Sequence, residues 1–446
     1  MDNLEQARQA VREAIRQGAH AAEAYLLDSQ SLLVEVADQA VETLKFANDT
    51  GLGVRVFARD GRVGFAFATD ISTASLAETA RQAIANSRIT FPDTYNTLPA
   101  SAGNIPSLRL LDPAIGAAAV ERKIELAKGV EAAARRRDGR VKRTERCVYE
   151  DAEYGVALAN SNELAVSYRS GYCGLYGVVL AEDGGDVQTG MGLSYSRDFA
   201  ALDPEEVGRE AAREACLLLG AKEIGTVKAA IVLPPYVATN FLAVLVPALS
   251  ADAVQKGRSL FRDSVGKKVA SPFITLVDDG RLDGGVATSP VDGEGVLTGR
   301  TELITSGVLQ GFLHNTYTAG RVGAASTGNG VRHSFRGMPE VGPTNIFFAK
   351  GETPRDELIG GVKEGLYITS VMGMHTANPI SGDFSVGAAG VWIRDGQFTQ
   401  PVRGVAIAGN ILDFLGEVDA VGDDLRFFGS QGAPTLRIDK ITISGA

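Results

Sequence analysis

Four histidines are the side chains of this chain that could bind a transition metal or move a proton near neutral pH. They are His20, His314, His333 and His375. No two are three or four residues apart, so none forms the histidine pair that a helix presents to zinc. No cysteine follows Cys216, so a zinc site in the second half would require the three later histidines to converge with carboxylates. Hydrogen-bonded structural histidines are the favoured interpretation.

A hydrolytic site without a metal is the second chemistry to consider. The G-x-S-x-G pattern of a nucleophilic serine is absent. His314 ends a predicted strand, and His375 begins a loop that continues to Asp383. Loops at strand ends often carry functional residues, so His314, His375 and Asp383 are the catalytic candidates. For each histidine, the alternative is a partly buried ring that hydrogen-bonds to the backbone.

Small polar residues close to these histidines are candidates for binding a substrate. They are Asn315, Ser326, Thr327, Asn329 and Asn378. The segment 323–328 has the G-x-x-x-x-G spacing of a phosphate-binding loop, but Asn329 stands where the lysine is required. The pattern therefore predicts a flexible loop that lets a backbone approach closely, not a nucleotide site.

Five acidic residues form a cluster in the segment 278–294. They are Asp278, Asp279, Asp283, Asp292 and Glu294. Their spacing does not match the calcium loop of an EF-hand. The favoured interpretation is that they are solvated acids of turns, and the role of the segment is left open.

The elements that would position these residues predict an α+β protein. N-terminal and middle α+β segments should be followed by a β-rich C-terminal domain of antiparallel hairpins. The predicted units are residues 1–92, a proline-rich linker at 93–113, a middle unit at 114–226 and the C-terminal domain at 227–446. In the last of these, aspartate–glycine and serine–glycine turn signals recur between short strand-like runs.

Composition excludes several classes of function. The 446 residues carry a net charge of −10, which argues against direct nucleic-acid binding. The N-terminus has no apolar signal region, and the densest apolar run, 241–249, is too short to span a membrane. We therefore expect a cytoplasmic protein without a membrane partner.

Several blocks of sequence are similar to one family. They are Gly257-Arg258-Ser259, 278–295, 307–312, 326–329, Asn378-Pro379-Ile380-Ser381-Gly382-Asp383-Phe384-Ser385-Val386-Gly387, 405–412, 51–56 and 63–66. Together they resemble the TldD/PmbA metallopeptidases, and within them the PmbA (TldE) branch. The resemblance covers nearly the whole chain and is weaker in the middle.

The resemblance implies where zinc would be bound and shows that the ligands are missing. TldD subunits carry His-Glu-x-x-x-His on a helix and a late cysteine. An ungapped comparison around Asp252 places Leu242 and Pro247 at the histidine positions and Ala243 at the glutamate position. Pro247 would also end the helix. No cofactor is therefore expected in this chain, and zinc is expected only in a TldD-type partner.

The leading hypothesis is a non-catalytic, peptide-binding subunit of a cytosolic TldD/TldE-type metallopeptidase. It would pair with a TldD-type catalytic subunit as a heterodimer, or with itself as a homodimer, and bind unfolded or extended peptides. Two alternatives stay open: an autonomous homodimeric hydrolase with an unrecognised site, and a non-enzymatic, chaperone-like peptide-binding module. The substrate is not indicated by the sequence.

Overall fold

The first half of the chain forms one antiparallel sheet covered by helices on one face. The structure, a computed structural model, describes residues 2–100 and 103–445. The elements are α1 (Asn3–Arg16), β1 (Ala21–Ala37), β2 (Ala40–Phe57), β3 (Val63–Ala68), α2 (Thr73–Ser87), α3 (Pro113–Ala117), α4 (Val120–Arg137), β4 (Val141–Asn160), β5 (Ala165–Asp183), β6 (Asp186–Ser196), a 3₁₀ helix (Phe199–Ala201) and α5 (Pro204–Leu217). The six strands are arranged in the order β3-β2-β1-β4-β5-β6.

The predicted units 1–92 and 114–226 contribute three strands each to this sheet. β1 and β4 are hydrogen-bonded along their length, from the pair Glu23 and Asn160 to the pair Val36 and Cys147. Alternate residues of the strands therefore face the helices α1, α2, α4 and α5. The other face, which carries Tyr25 and Val156, packs against loops of the second half through Val291 and Phe335.

Strands that the sequence divides in two are continuous in the structure. The strand-like runs 23–27 and 32–36, which polar residues separate in the sequence, both belong to β1, and β5 runs without a break through Gly177. The role of Gly177 is close packing. A Cβ atom there would lie 2.6 Å from Cγ1 of Val130 in α4, so the glycine lets the helix approach the sheet.

The second half is β-rich, as predicted, and its longest strands form a barrel. Its elements are β7 (Val227–Leu233), α6 (Pro235–Leu245), a 3₁₀ helix (Val246–Leu249), α7 (Ala251–Gln255), β8 (Leu276–Asp279), β9 (Arg300–Thr305), β10 (Val308–Leu309), α8 (Thr316–Val322), β11 (Gly330–Val331), β12 (Glu340–Val341), β13 (Ile346–Phe348), α9 (Arg355–Gly360), β14 (Glu364–Met372), a 3₁₀ helix (Met374–Thr376), β15 (Asp383–Arg394), β16 (Gln397–Asn410), α10 (Ile411–Gly416), β17 (Val418–Val421), β18 (Arg426–Phe428), β19 (Gln431–Ala433) and β20 (Leu436–Ser444).

Two six-stranded sheets enclose the largest apolar core of the chain. Their orders are β10-β9-β8-β13-β19-β18 and β16-β15-β14-β7-β20-β17, and an additional pairing of β16 with β20 closes part of the second sheet on itself. Helix α6 lies in the core through Phe241, which stacks on Phe414 with ring centroids 4.6 Å apart. The α+β class is thus confirmed.

The prediction of antiparallel hairpins alone was incomplete. β7 is parallel to β14, and β13 is parallel to β19. More than 100 residues separate β7 from β14 in the chain, so no hairpin turn joins them and a parallel crossover is possible. None of the helices in the described part of the chain is long and apolar enough to cross a membrane.

Candidate functional site

Helix α6 occupies the segment in which the zinc motif was expected by resemblance. Pro234 and Pro235 begin the helix, because a proline in the first turn needs no backbone N–H partner. The α-helix ends at Leu245, and Pro247 lies in the 3₁₀ helix that follows. The expectation that α-helical geometry would stop before Pro247 is therefore met.

The three motif positions do not share one environment. Leu242 is fully buried in the core of the second half, whereas Ala243 and Pro247 are exposed. Leu242 belongs to α6 and faces the core, whereas Pro247 belongs to the 3₁₀ helix that follows and faces solvent. The exposed positions continue a stripe that begins with Tyr236 and Asn240, at helical spacing of three and four residues.

That stripe leads to a cavity of about 570 Å³ between the two halves of the chain. Tyr236 and Asn240 of α6 line one side, and residues 369–372 of β14 line another. Residues 189–193 of β6 and one face of α5 complete the wall. Pockets at domain interfaces are common binding sites, and this one is large enough for several residues of a peptide.

The strand β14 presents a free backbone edge inside this cavity. β7 pairs with β14 only at residues 365–367, because the chain turns into α6 after Leu233. Residues 370–372 remain paired with β15 on their other side. Within residues 370–372, the N–H and C=O groups that do not bond to β15 therefore point to the other edge of β14, where these residues line the cavity. Such an edge can accept an additional strand.

Two arginines beside the cavity are ion-paired with glutamates, and a third is hydrogen-bonded to a tyrosine. Arg426 donates to both carboxylate oxygens of Glu210, at 2.6 and 2.8 Å, and Arg355 donates to the Tyr367 hydroxyl at 2.7 Å. Burial raises the pKa of Glu214, while neighbouring Arg213 at 3.0 Å opposes the shift. Because these charges cancel locally, the walls favour a neutral backbone over a strongly charged ligand.

Five sequence candidates lie together, in a second region around α8. The backbone N–H of His314 donates to Thr327 Oγ1 at 2.8 Å, and its C=O accepts from Ser326 Oγ at 3.1 Å. Asn315 caps α8 by accepting from the N–H of Thr318 at 2.9 Å. The Thr318 hydroxyl in turn accepts from the backbone N–H of Asn315. Burial lowers the pKa of His314.

The fifth of these candidates, Asn329, is buried and its amide is fully used within the chain. It donates to Asp278 at 2.8 Å and to the carbonyl of Gly342 at 3.0 Å, and it accepts from Thr327 at 2.6 Å. These contacts hold three loops together. The side chains of Asn315, Thr327 and Asn329 are therefore structural in this conformation.

The interpretation of the acidic segment as solvated turns was wrong for three of its residues. Asp278, Asp292 and Glu294 are buried, whereas Asp283 is exposed. Burial raises the pKa of Asp278 to about 6, although Asn329 and Thr344 donate to its carboxylate. Burial and the nearby charge of Glu294 raise the pKa of Asp292. Turn signals in the sequence did not reveal that the segment is covered by the N-terminal sheet.

A buried ionic network joins the two halves at this place, and sequence reasoning missed it. Arg55 of β2 donates to Glu23 of β1 at 3.0 Å and to Glu294 at 3.1 Å. Arg332 donates to Glu23 as well, and to the carbonyl of Gly293 at 2.7 Å. Glu23 and Arg55 are directly opposite each other in the β1–β2 register. The opposite charges of Glu23 and Arg55 indicate the network, but they can be recognised as partners only when the register of β1 and β2 is known.

The remaining candidates, His375, Asn378 and Asp383, form a separate exposed loop before β15. Asn378 Oδ1 accepts from the N–H groups of Ile380 and Ser381, as in a turn. Hydrogen bonds from Ser381 at 2.7 Å and Asn410 at 3.0 Å lower the pKa of Asp383. No hydrogen bond connects this loop with His314 within residues 2–100 and 103–445. The structure does not bring the three catalytic candidates together.

Metal ligands are likewise not gathered in the described residues. Among them, no group of three or more histidine, cysteine, aspartate or glutamate side chains is arranged to hold an ion. Ala243 and Pro247 offer no donor atom, and Leu242 is enclosed by apolar side chains. The residues present at the motif positions do not fit a zinc ion.

Comparisons with known proteins identify all three parts of the chain. Residues 22–87, 114–219 and 226–445 match the family models described as PmbA/TldA metallopeptidase domain 1, central domain and C-terminal domain. The protein named Metalloprotease PmbA from Escherichia coli O157:H7 is 30% identical, and the alignment covers 91% of this chain and 88% of that protein.

Solved structures show the same fold. A Thermotoga maritima protein superposes with a TM-score of 0.90 at 26% identity, over 99% of both chains. TldE from Thermococcus kodakarensis superposes with a TM-score of 0.91 at 23% identity, over 99% of this chain and 100% of the other. The sequence blocks, the three matched domains and the aligned relative agree with each other. The chain belongs to the PmbA/TldD metallopeptidase family.

Proposed function

We propose that this chain is a non-catalytic, peptide-binding subunit of a cytosolic TldD/TldE-type metallopeptidase. One observation carries the proposal: the helix that bears the zinc motif in TldD subunits has Leu242, Ala243 and Pro247 at those positions. The histidines that would bind zinc and the glutamate that would activate water are replaced together. Zinc and the catalytic base would then come from a TldD-type partner.

The free edge of β14 supports peptide binding by strand addition. An extended peptide along residues 369–372 would receive backbone hydrogen bonds on one edge and lie beside Tyr236 and Asn240 of α6. Backbone pairing recognises any extended chain, and the paired charges of the cavity add little side-chain preference. An unfolded or extended peptide fits this chemistry.

The catalytic part of the proposal is tested on the isolated chain and on the mixture with a TldD-type partner. We expect the isolated chain to contain no stoichiometric zinc and to leave unfolded peptides intact. The mixture should cleave them, and a chelator should abolish cleavage. One zinc per isolated chain together with chelator-sensitive cleavage would refute the proposal and favour an autonomous hydrolase. Cleavage by the isolated chain that resists a chelator would refute it as well.

A substitution at α6 provides a sharper control. Leu242→His should not create activity, because the ring would be enclosed in the apolar core and the other zinc ligands would still be missing. Ala243→Glu adds the missing base on the exposed stripe and should also stay inactive without ligands. Activity in either single variant would contradict the structural argument.

Strand addition is tested with backbone-methylated peptides. Two peptides of one sequence carry N-methyl groups on alternate residues, one series for each edge of the extended chain. Losing two hydrogen bonds of about 0.5–1.5 kcal/mol each should weaken the binding of one series by roughly 5- to 150-fold. The other series should bind like the unmethylated peptide. Equal binding of both series would exclude pairing with β14.

A further inference from the structure

A second cavity lies between the N-terminal sheet and the loops of the second half, apart from the cavity at α6. Its volume is about 390 Å³, within the range of sites for small ligands. The sheet contributes Tyr25, Leu27, Tyr154, Val156, Tyr168 and Tyr172 to its lining. We propose that this cavity binds an uncharged aromatic side chain of a peptide, which deepens the proposed function and rests on it.

The register of the sheet explains why aromatic rings converge here. Leu27, Val156 and Tyr168 are aligned across β1, β4 and β5. Residues two or four positions along the same strands lie on the same face, which adds the rings of Tyr154 and Tyr172. The result is an aromatic and aliphatic wall on the face opposite to the helices. Rings favour other rings in offset or edge-to-face contact.

The opposite wall consists of closely packed backbone from the loops 287–293 and 328–333. At Gly293, a Cβ atom would lie 2.7 Å from Cγ of Arg332 and from the carbonyl oxygen of Gly330. Asp292 fixes the two loops to each other by accepting from the N–H of Gly330 at 2.8 Å. This wall has little freedom to collapse, so the cavity is preformed.

Arg332 and Asp292 beside the cavity already have partners within the chain, which favours a neutral ligand. Arg332 donates to the carbonyls of Gly293 and Gly337 and to Glu23, and its guanidinium lies 5.0 Å from the ring centroid of Tyr25. Asp292 accepts three backbone N–H groups. A charged ligand would lose its hydration without gaining a free counter-charge. An aromatic ring loses only apolar hydration.

The test uses N-acetyl-tryptophanamide as an aromatic probe and N-acetyl-lysinamide as a charged control. The chain is labelled with ¹³C-tyrosine, and ring signals are assigned by single Tyr→Phe variants. We expect the aromatic probe to shift the signals of Tyr154, Tyr168 and Tyr172 in a saturable manner. The lysine derivative should produce no saturable shift. These probes are too short to add a strand, so a failure of strand addition at β14 leaves the result unaffected.

Two tyrosines of one strand supply matched variants. Tyr172 lines the cavity, whereas Tyr176 lies four residues along the same face of β5 outside it and contacts Arg146. Loss of one ring contact should weaken binding of the aromatic probe about 3- to 10-fold in Tyr172→Ala. Tyr176→Ala should bind the probe like the wild type.

Three outcomes would overturn the proposal. One is the absence of saturable shifts at the cavity tyrosines up to the solubility limit of the probe. Another is equal binding of the lysine derivative. The third is an equal loss of affinity in Tyr172→Ala and Tyr176→Ala. Circular dichroism of each variant identifies a misfolded protein, and in that case the assigned Tyr→Phe shifts in otherwise wild-type chain decide the question.

Discussion

Replacing Arg55 by methionine should destabilise the junction between the two halves strongly. One nitrogen of Arg55 bonds to both Glu23 and Glu294, and the side chain is only 9% exposed. After the substitution Glu23 keeps Arg332, but Glu294 keeps only the backbone N–H of Thr316 at 2.8 Å. Removing one partner of a buried ionic network costs about 3–5 kcal/mol, because a buried charge is left uncompensated.

A double-mutant cycle separates this effect from lost packing. Adding Glu294→Gln to Arg55→Met removes the uncompensated charge, so the double variant should be more stable than Arg55→Met alone. Urea unfolding followed by circular dichroism gives the free energy of unfolding of each variant. Arg336→Met is the matched control, since it removes an arginine from the exposed pair with Asp49, and surface pairs contribute little.

Either of two results would refute a stabilising role of the ionic network. Arg55→Met could lower the free energy of unfolding by less than about 1 kcal/mol, which is the range of an exposed pair. Alternatively, the double variant could be at least as unstable as the sum of the two single variants. Either result would mean that the carboxylates are hydrated or protonated in the folded chain and that the network does not hold the junction.

Two further predictions concern the loops around α8. Asp278 has a folded-state pKa of about 6, above its ordinary 3.8, so its contribution to stability is present below pH 3.8 and is lost as the pH rises through 6. Between about pH 4 and 6.5 the free energy of unfolding of the wild type should therefore fall by up to about 3 kcal/mol relative to Asp278→Asn; parallel profiles of the two proteins would contradict this. Asn315→Ala removes the helix cap and should lower the free energy of unfolding by about 1 kcal/mol in chemical denaturation, whereas Asn315→Asp keeps the acceptor and should change it less. Weaker peptide binding by Asn315→Ala at unchanged stability would instead make Asn315 a binding residue.

Local chemistry was the part of the fold that the sequence could predict. Serine is a residue type that favours helix N-caps, and the hydroxyl of Ser72 accepts from the N–H of Ser75 in α2. Aspartate followed by proline is typical of a helix start, and Asp203 before Pro204 accepts from two N–H groups of α5. Caps act within a few residues, so one sequence contains all the information they need.

Contacts between distant segments could not be predicted in the same way. The acidic segment 278–294 has the residues of an exposed loop, and it is buried only because the N-terminal sheet lies over it. Gly177 interrupts an apolar run in the sequence, and a glycine is needed there because Val130 of α4 packs closely against it. Burial of a charge depends on a partner that is more than 200 residues away for Arg55 and Glu294. A single sequence without a register does not specify such partners.

The candidate site, too, could be predicted from the sequence only in part. Sequence resemblance located the motif positions on α6, because a missing histidine is visible in one chain. It did not reveal the free edge of β14, which exists because β7 ends at Leu233 while β14 continues to Met372. A difference in strand length is a property of pairing, and only the structure shows it.

The motif positions on α6 and the residues that line the cavity at α6 have different surroundings. Ala243 and Pro247 are exposed, so replacing ligands at these positions leaves the core packing nearly unchanged. Leu242 is buried, and an apolar residue there improves the packing that a histidine would disturb. The cavity at α6 depends instead on the length of β14 and on Tyr236 and Asn240, which are not motif positions.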